Sequence, residues 1–249
     1  MLSKQDIVKN IIEDCTSNLY STIEHWTDVN QPVKILGDQM TEVIDAVIHD
    51  TRCSGTAGSG WDTRDCGESK FSSHVQSRKC LDCGSKVTFF SSKCLDCNST
   101  NLSKNPRDGR WGIDSKSHFK HFENLKEYRL TLLEPKTDEP SCRKFRIRNW
   151  IIKKDSEYLN EYAKAQFESP KSKHINFQPL KADFYLSKPV LIYDGQLTIE
   201  KESSTMEFDY FDVNNNTPVD LPVEFVGINI KERLEKKSFG KSRGKTKRI

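Results

Sequence analysis

Apolar residues recur at three- and four-residue intervals near the start of the chain, at Ile7, Ile11, Ile12, Cys15, Leu19 and Ile23. That spacing lines them up on one stripe and predicts an amphipathic helix over residues 4–25. Pro32 interrupts. A second helix is predicted over residues 37–50, with Leu36, Met40, Val43, Ile44 and Val47 on one face. The run Ser54-Gly55-Thr56-Ala57-Gly58-Ser59-Gly60 is too rich in glycine for a helix interior and reads as a loop. Short strands are predicted at Trp61-Asp62 and over residues 66–72, joined by a tight turn.

Farther along, residues 87–90 read as a strand, and the Asn105-Pro-Arg-Asp-Gly109 cluster reads as a turn. Asp114 or Ser115 is placed to cap a helix over residues 115–128, since a short oxygen-bearing side chain can accept from the first free amides. A buried strand over 128–133 ends at Pro135. Alternation over 145–152 predicts another strand, and residues 156–167 another helix. Between residues 185 and 199 two strands are predicted around the Asp194-Gly195 turn, a dipeptide that favours hairpins. Strands and helices so interleaved define an α/β class fold, of the α+β kind with a mixed sheet.

Composition changes this picture mainly through charge. The 249 residues are 35% hydrophobic and 30% charged, with a net charge of +3. Residues 236–249 hold seven Lys/Arg and no acid, which leaves 32 basic against 36 acidic residues elsewhere. Residues 70–120 carry ten Lys/Arg against four acids, whereas residues 200–224 carry seven acids and one lysine. Basic segments beside a carboxylate-rich stretch suit a polyanionic partner. The last fourteen residues read as a disordered basic tail. No apolar run approaches the roughly 18 residues of a membrane span, and the first residues lack the pattern of a signal peptide. A cytoplasmic protein with no membrane partner is expected.

Eight cysteines in such a chain point to a reducing compartment rather than a disulfide framework. Four form two identical units, Cys80-Leu-Asp-Cys83 and Cys94-Leu-Asp-Cys97, ten residues apart. Each unit offers two thiolates from one turn, and four thiolates close a tetrahedral Zn²⁺ site. Gly84 and Asn98, directly after the pairs, suit the left-handed conformation such turns need. The arrangement is similar to a zinc ribbon, with a structural rather than catalytic ion. It either staples an insertion or presents Arg78, Lys79, Lys86 and Lys93 to nucleic acid.

Just before the ribbon stand Asp62 and the triplet Glu68-Ser69-Lys70. Residues i and i+2 of a strand share a face, so Glu68 and Lys70 project together. Asp62 across a turn, and Glu42 on the preceding helix, can add carboxylates. Two carboxylates and a lysine are what metal-assisted phosphodiester cleavage needs: a divalent ion, an activated water and positive charge near the phosphate. Asp65 is a rival for the place of Asp62. Asp108 with Asp114-Ser115-Lys116 repeats the pattern downstream, although Asp114 and Ser115 also have a capping role. His118 and His121 lie one helical turn apart with no Glu-x-x partner, which suits a surface or packing role. Phosphate-binding loops and nucleophile elbows are missing.

A helix with Glu42, a Gly-rich loop, Gly60-Trp61-Asp62 and Gly67-Glu68-Ser69-Lys70, followed by helix and strand, resembles the PD-(D/E)xK nuclease core. The likeness is greatest to type II restriction endonucleases and covers roughly residues 36–134, with the ribbon inserted. Trp61 stands where proline is usual, and Ser69 where an apolar residue is common. The resemblance implies that Asp62 and Glu68 bind Mg²⁺, that Lys70 orients or activates water, and that Glu42 assists. It further implies Mg²⁺-dependent, sequence-specific cleavage of double-stranded DNA to 5′-phosphate ends by a homodimer. The chain then divides into N-terminal helices and first core part (1–77), four-cysteine zinc ribbon (78–104), second core part (105–135), DNA-recognition and dimerisation region (136–235) and basic tail (236–249). Arg143, Arg146 and Arg148 are candidate DNA contacts. A non-catalytic zinc-ribbon DNA-binding protein and a repair or mobile-element nuclease are the alternative readings.

Overall fold

The computed structural model describes residues 2–16, 37–54, 61–73, 78–87, 93–103, 109–135, 142–169, 174–177, 181–200 and 206–238. The first helices are α1 (Lys4–Thr16) and α2 (Gly37–Ile48). Strand β1 (Gly67–Ser73) follows, then the short pair β2 (Arg78–Lys79) and β3 (Lys86–Val87), then β4 (Gly109–Gly112). Helix α3 (Lys116–Glu123) leads into β5 (Glu127–Pro135) and β6 (Cys142–Lys153). The remaining elements are α4 (Glu157–Glu168), β7 (His174–Phe177), α5 (Ala182–Leu186), β8 (Val190–Glu200), β9 (Met206–Pro218) and α6 (Ile230–Ser238).

Five strands form one mixed sheet in the order β1-β5-β6-β8-β9. β1 runs parallel to β5, and the other neighbours are antiparallel. Alternation along the strands serves two cores. Ile147, Ile151, Ile192 and Tyr193 pack with Val8, Ile12, Met40 and Ile44 of α1 and α2. Tyr128, Leu130, Trp150 and Ile152 pack on the other face with Phe122, Leu159, Tyr162, Phe177 and Phe184. Helices on both faces of a mixed sheet match the expected α/β class. The β4–β7 ribbon lies on the second face and touches β1.

Several expected elements come out differently. α1 ends at Thr16, and residues 17–25 of the expected helix lie outside the described residues. Val43 of α2 is exposed, because the helix turns Met40, Thr41, Ile44, Asp45 and Ile48 inward instead. Trp61-Asp62 is a bend rather than a strand, with only an isolated bridge between Cys53 and Thr63. α3 is shorter than expected: Ser115 Oγ accepts the His118 amide at its start, Asn124 caps its end, and β5 begins at Glu127. The Asp194-Gly195 pair makes no hairpin. It lies in the middle of β8, where Arg146 of β6 donates to both oxygens of Asp194 and satisfies the carboxylate that a turn would have used. Tyr185 belongs to α5. The expected loop at residues 55–60, strand at 88–90, turn at 105–108 and tail at 239–249 fall outside the described residues. Lys236–Ser238, expected in the tail, complete α6.

α6 is held by Asp183 of α5, which is buried. Asp183 accepts from Arg233 Nε at 2.7 Å, Arg233 Nη2 at 3.0 Å and Lys237 Nζ at 2.8 Å, and also from the Tyr158 hydroxyl. The Lys237 ammonium sits 4.4 Å from the centre of the Tyr162 ring. No helix among the described residues is long and apolar enough to cross a membrane.

Candidate active site

The turn over residues 63–66 brings Asp62 back over the start of β1. Cys66 takes a positive φ of 64° there, and its amide donates to the Thr63 carbonyl. Asp62 Oδ2 accepts the Ser69 amide at 2.7 Å, so the aspartate is fastened to the strand at the middle of the triplet. Lys70 Nζ lies 2.5 Å from Glu68 Oε1, 3.5 Å from Asp62 Oδ2 and 3.0 Å from the Ser69 carbonyl. Asp62, Glu68 and Lys70 thus converge at the sheet edge as their spacing predicts.

Glu68 is buried, and its Oε2 has no hydrogen-bond partner among the described residues. Burial pushes its carboxyl up to about 7; the Lys70 charge opposes this, while the Asp62 and Glu42 carboxylates add to it. Burial also works against the ammonium of Lys70, but Glu68 and Asp62 outweigh it and hold the proton above the ordinary lysine range. Glu42, on α2, is therefore within electrostatic reach of Glu68. A buried carboxylate oxygen with no donor, beside a second carboxylate, is a hard-oxygen set of the kind that takes Mg²⁺.

Asp65, the rival carboxylate, is engaged elsewhere. It accepts from Thr63 Oγ1 at 2.6 Å, Arg129 Nη2 at 2.8 Å and Lys126 Nζ at 3.1 Å. Burial pushes its carboxyl up, but these donors prevail and hold it well below the usual range. Arg129 is fully buried in β5 and donates twice to Glu127 Oε1, at 2.9 and 2.7 Å, and to Thr63 Oγ1 at 2.8 Å. His49 Nδ1 stands 3.3 Å from the same Glu127 oxygen. A second buried link joins Asp45 of α2 to Ser69 and Asn149.

Neither this polar layer nor Asp45 was visible as a site in sequence. Arg129 and Thr131 alternate with Tyr128, Leu130 and Leu132, a pattern that ordinarily means a solvent-facing side. One signal was present: Thr41 and Asp45 keep step with Met40, Ile44 and Ile48 at four-residue spacing.

The downstream set does not assemble in the same way. Asp114 is exposed and bonds His118 Nδ1 at 2.7 Å, Lys116 is exposed on α3, and Asp108 lies outside the described residues. His121 packs its ring 5.8 Å from that of Trp61, whose Nε1 donates to the His121 carbonyl at 3.3 Å. The two histidines therefore have separate partners. Arg146 is paired with Asp194, and Arg148 stacks 4.8 Å from the Trp150 ring centre. Nothing is described of the Arg143 side chain.

The cysteines do assemble. Their four sulfurs lie within 4.8 Å of one another, the one such group of three or more His, Cys, Asp or Glu among the described residues. Cys80–Cys97 and Cys83–Cys94 sulfurs are 3.6 and 3.5 Å apart. A tetrahedron with Zn–S near 2.3 Å has edges of about 3.8 Å, so the donor set fits a zinc-sized ion. The two knuckles are built alike. The Gly84 and Asn98 amides donate back to the Cys80 and Cys94 carbonyls, at 3.0 and 2.9 Å, with φ of 82° and 56°. Asp82 ties one knuckle to the other, accepting from Ser99 Oγ and from Asn101 Nδ2 at 2.8 Å.

A mixed sheet flanked by helices, with an Asp, a Glu and a Lys converging on its edge, defines a restriction-endonuclease-like nuclease with an inserted four-cysteine module. The family of MamI restriction endonuclease matches residues 25–224, and the chain belongs to it. No curated protein and no solved structure matches the chain.

Proposed function

We propose that the protein is a type II restriction endonuclease, a Mg²⁺-dependent, site-specific deoxyribonuclease that cuts double-stranded DNA to leave 5′-phosphate ends. The observation that carries this is Lys70 poised between Asp62 and Glu68, with Glu68 Oε2 buried and lacking a donor among the described residues. Asp62 and Glu68 would hold Mg²⁺, which supplies charge neutralisation at the phosphate and acidifies a bound water. Glu42 adds negative charge near the site from α2. Lys70 keeps its proton between two carboxylates and is placed to orient the attacking water and stabilise charge on the phosphate. Zn²⁺ on Cys80, Cys83, Cys94 and Cys97 would have a structural role, since four thiolates leave no open position. Residues 136–235 are assigned to recognition and dimerisation, a homodimer matching the two-fold symmetry of a palindromic site.

The test is incubation of the zinc-loaded protein with unmethylated plasmid and Mg²⁺. Discrete fragments from the wild type, abolished in Glu68→Ala and Lys70→Ala, are expected. Cleavage that survives both changes but disappears in Asp114→Ala or Lys116→Ala would move the site to α3. DNA binding with no cutting under any divalent ion would favour a non-catalytic zinc-ribbon protein.

A further inference from the structure

Ser69 sits between Glu68 and Lys70, and strand alternation turns its side chain to the face opposite theirs. There its hydroxyl donates to Asp45 Oδ2 at 2.5 Å. Asp45 is fully buried on α2, and its other oxygen accepts from Asn149 Nδ2 at 3.1 Å. The same Nδ2 donates to Thr131 Oγ1 at 2.8 Å, and Thr131 and Asn149 are register partners across β5 and β6. The chain of bonds therefore runs from β1 through Asp45 of α2 to β6 and on to β5. On the main chain, the Ser69 amide holds Asp62. Glu42 lies one helical turn before Asp45 on the same helix.

Burying a carboxylate is costly, and an apolar pair at these positions would hold a helix to a sheet at least as well. What directional bonds add is a single setting. We propose that Asp45 is a positioning residue for the candidate metal site, fixing α2 and Glu42 against Glu68, Lys70 and Asp62 through Ser69 and Asn149. This rests on the nuclease reading of that site. Supporting groups of this kind typically change metal affinity 10–100-fold when removed. The arrangement accounts for serine at a position where the related cores often carry an apolar residue.

The experiment measures Mn²⁺ binding to zinc-loaded protein by electron paramagnetic resonance, alongside the Mg²⁺ dependence of cleavage. Ser69→Ala and Asp45→Ala should each weaken Mn²⁺ binding by about tenfold or more. Asp45→Asn should keep most of the affinity, because its amide can donate to Ser69 Oγ while its oxygen still accepts from Asn149. Unchanged affinity in the two alanine variants overturns the proposal. So does equal loss in Asp45→Asn and Asp45→Ala with Ser69→Ala unaffected, which would make the carboxylate itself a ligand. If Asp45→Ala does not fold, Ser69→Ala, which lacks a single oxygen, decides. A wild type that binds no Mn²⁺ overturns the nuclease reading together with this one.

Discussion

The space in which residue 67 would carry a side chain is filled by the guanidinium of Arg129. A Cβ built on Gly67 would lie 2.4 Å from Arg129 Cζ and 2.7 Å from Thr63 Oγ1. Arg129 cannot step aside, since Glu127, Asp65 and Thr63 hold it on three sides. Gly67→Ala should therefore destabilise the protein by about 1–3 kcal/mol, the usual range for overpacking, measured by urea denaturation. It should also lower cleavage more than stability explains, because the strain falls next to Glu68. A Gly67→Ala variant with wild-type stability would contradict the packing described.

Asp45 gives a prediction in pH. Burial raises its carboxyl to about 7, against the pull of Arg129 and the Ser69 hydroxyl. The folded state thus holds a proton that the unfolded chain loses near pH 4. The associated stability is complete below that pH and disappears as pH rises through about 7. His49 acts in the opposite sense over part of the range. Burial, helped by Arg129, lowers its pKa to about 4, so its contribution is present above about 6.5 and lost as pH falls. Asp45→Asn removes the first effect alone. At pH 8 it should be more stable than the wild type, by on the order of 2–4 kcal/mol, with the gain shrinking toward pH 5. Thermal melts across that range measure it, and equal stabilities at pH 8 would count against the buried carboxylate.

How much of this was legible in sequence differs by layer. The Cys80/Cys83 and Cys94/Cys97 knuckles were readable because their chemistry is local: each turn needs only its own spacing and Gly84 or Asn98. Glu68 and Lys70 were readable for the same reason, sharing a face of one strand. Arg129 was not, since its partners Thr63 and Asp65 lie more than 60 residues away, and a strand arginine looks solvent-facing until they arrive. Asp194-Gly195 misled in the reverse direction. Its turn propensity is real, but Arg146 and two flanking strands override it.

The ribbon should depend on its ion for folding. Among the described residues its apolar cluster holds Cys80, Val87 and Cys94 with Leu102 packed against them, and two of these four are candidate zinc ligands. Losing the ion would therefore remove part of the module's packing together with its ligation. Metal analysis should find about one zinc per chain. Chelation should open residues 78–103 to protease while the main sheet keeps its protection, and a ribbon equally resistant without metal would refute the assignment.

Asp183→Asn should loosen α6 without disturbing the sheet. Arg233 and Lys237 are partly exposed and can turn to water, so a local loss of about 1–3 kcal/mol is expected. Hydrogen exchange over residues 230–238 reads it directly. Burial works against the Asp183 charge, but Arg233 and Lys237 hold its carboxyl below the usual range. Their contribution is thus present above pH about 4 and fades as pH falls through that lowered value. Unchanged exchange in the variant would show that apolar contacts alone hold the helix.

Parallel neighbours need a crossover of about a dozen residues, and one helix suffices. β1 and β5 already have that in α3, yet the chain between Ser73 and Glu127 also includes the cysteine module. In topological terms the module is a detour: the path across the sheet is complete without it. The strands before and after it in the chain, β1 and β4, touch. An excursion that the crossover does not need can lengthen, shrink or change its content while the strand bearing Glu68 and Lys70 keeps its register against β5.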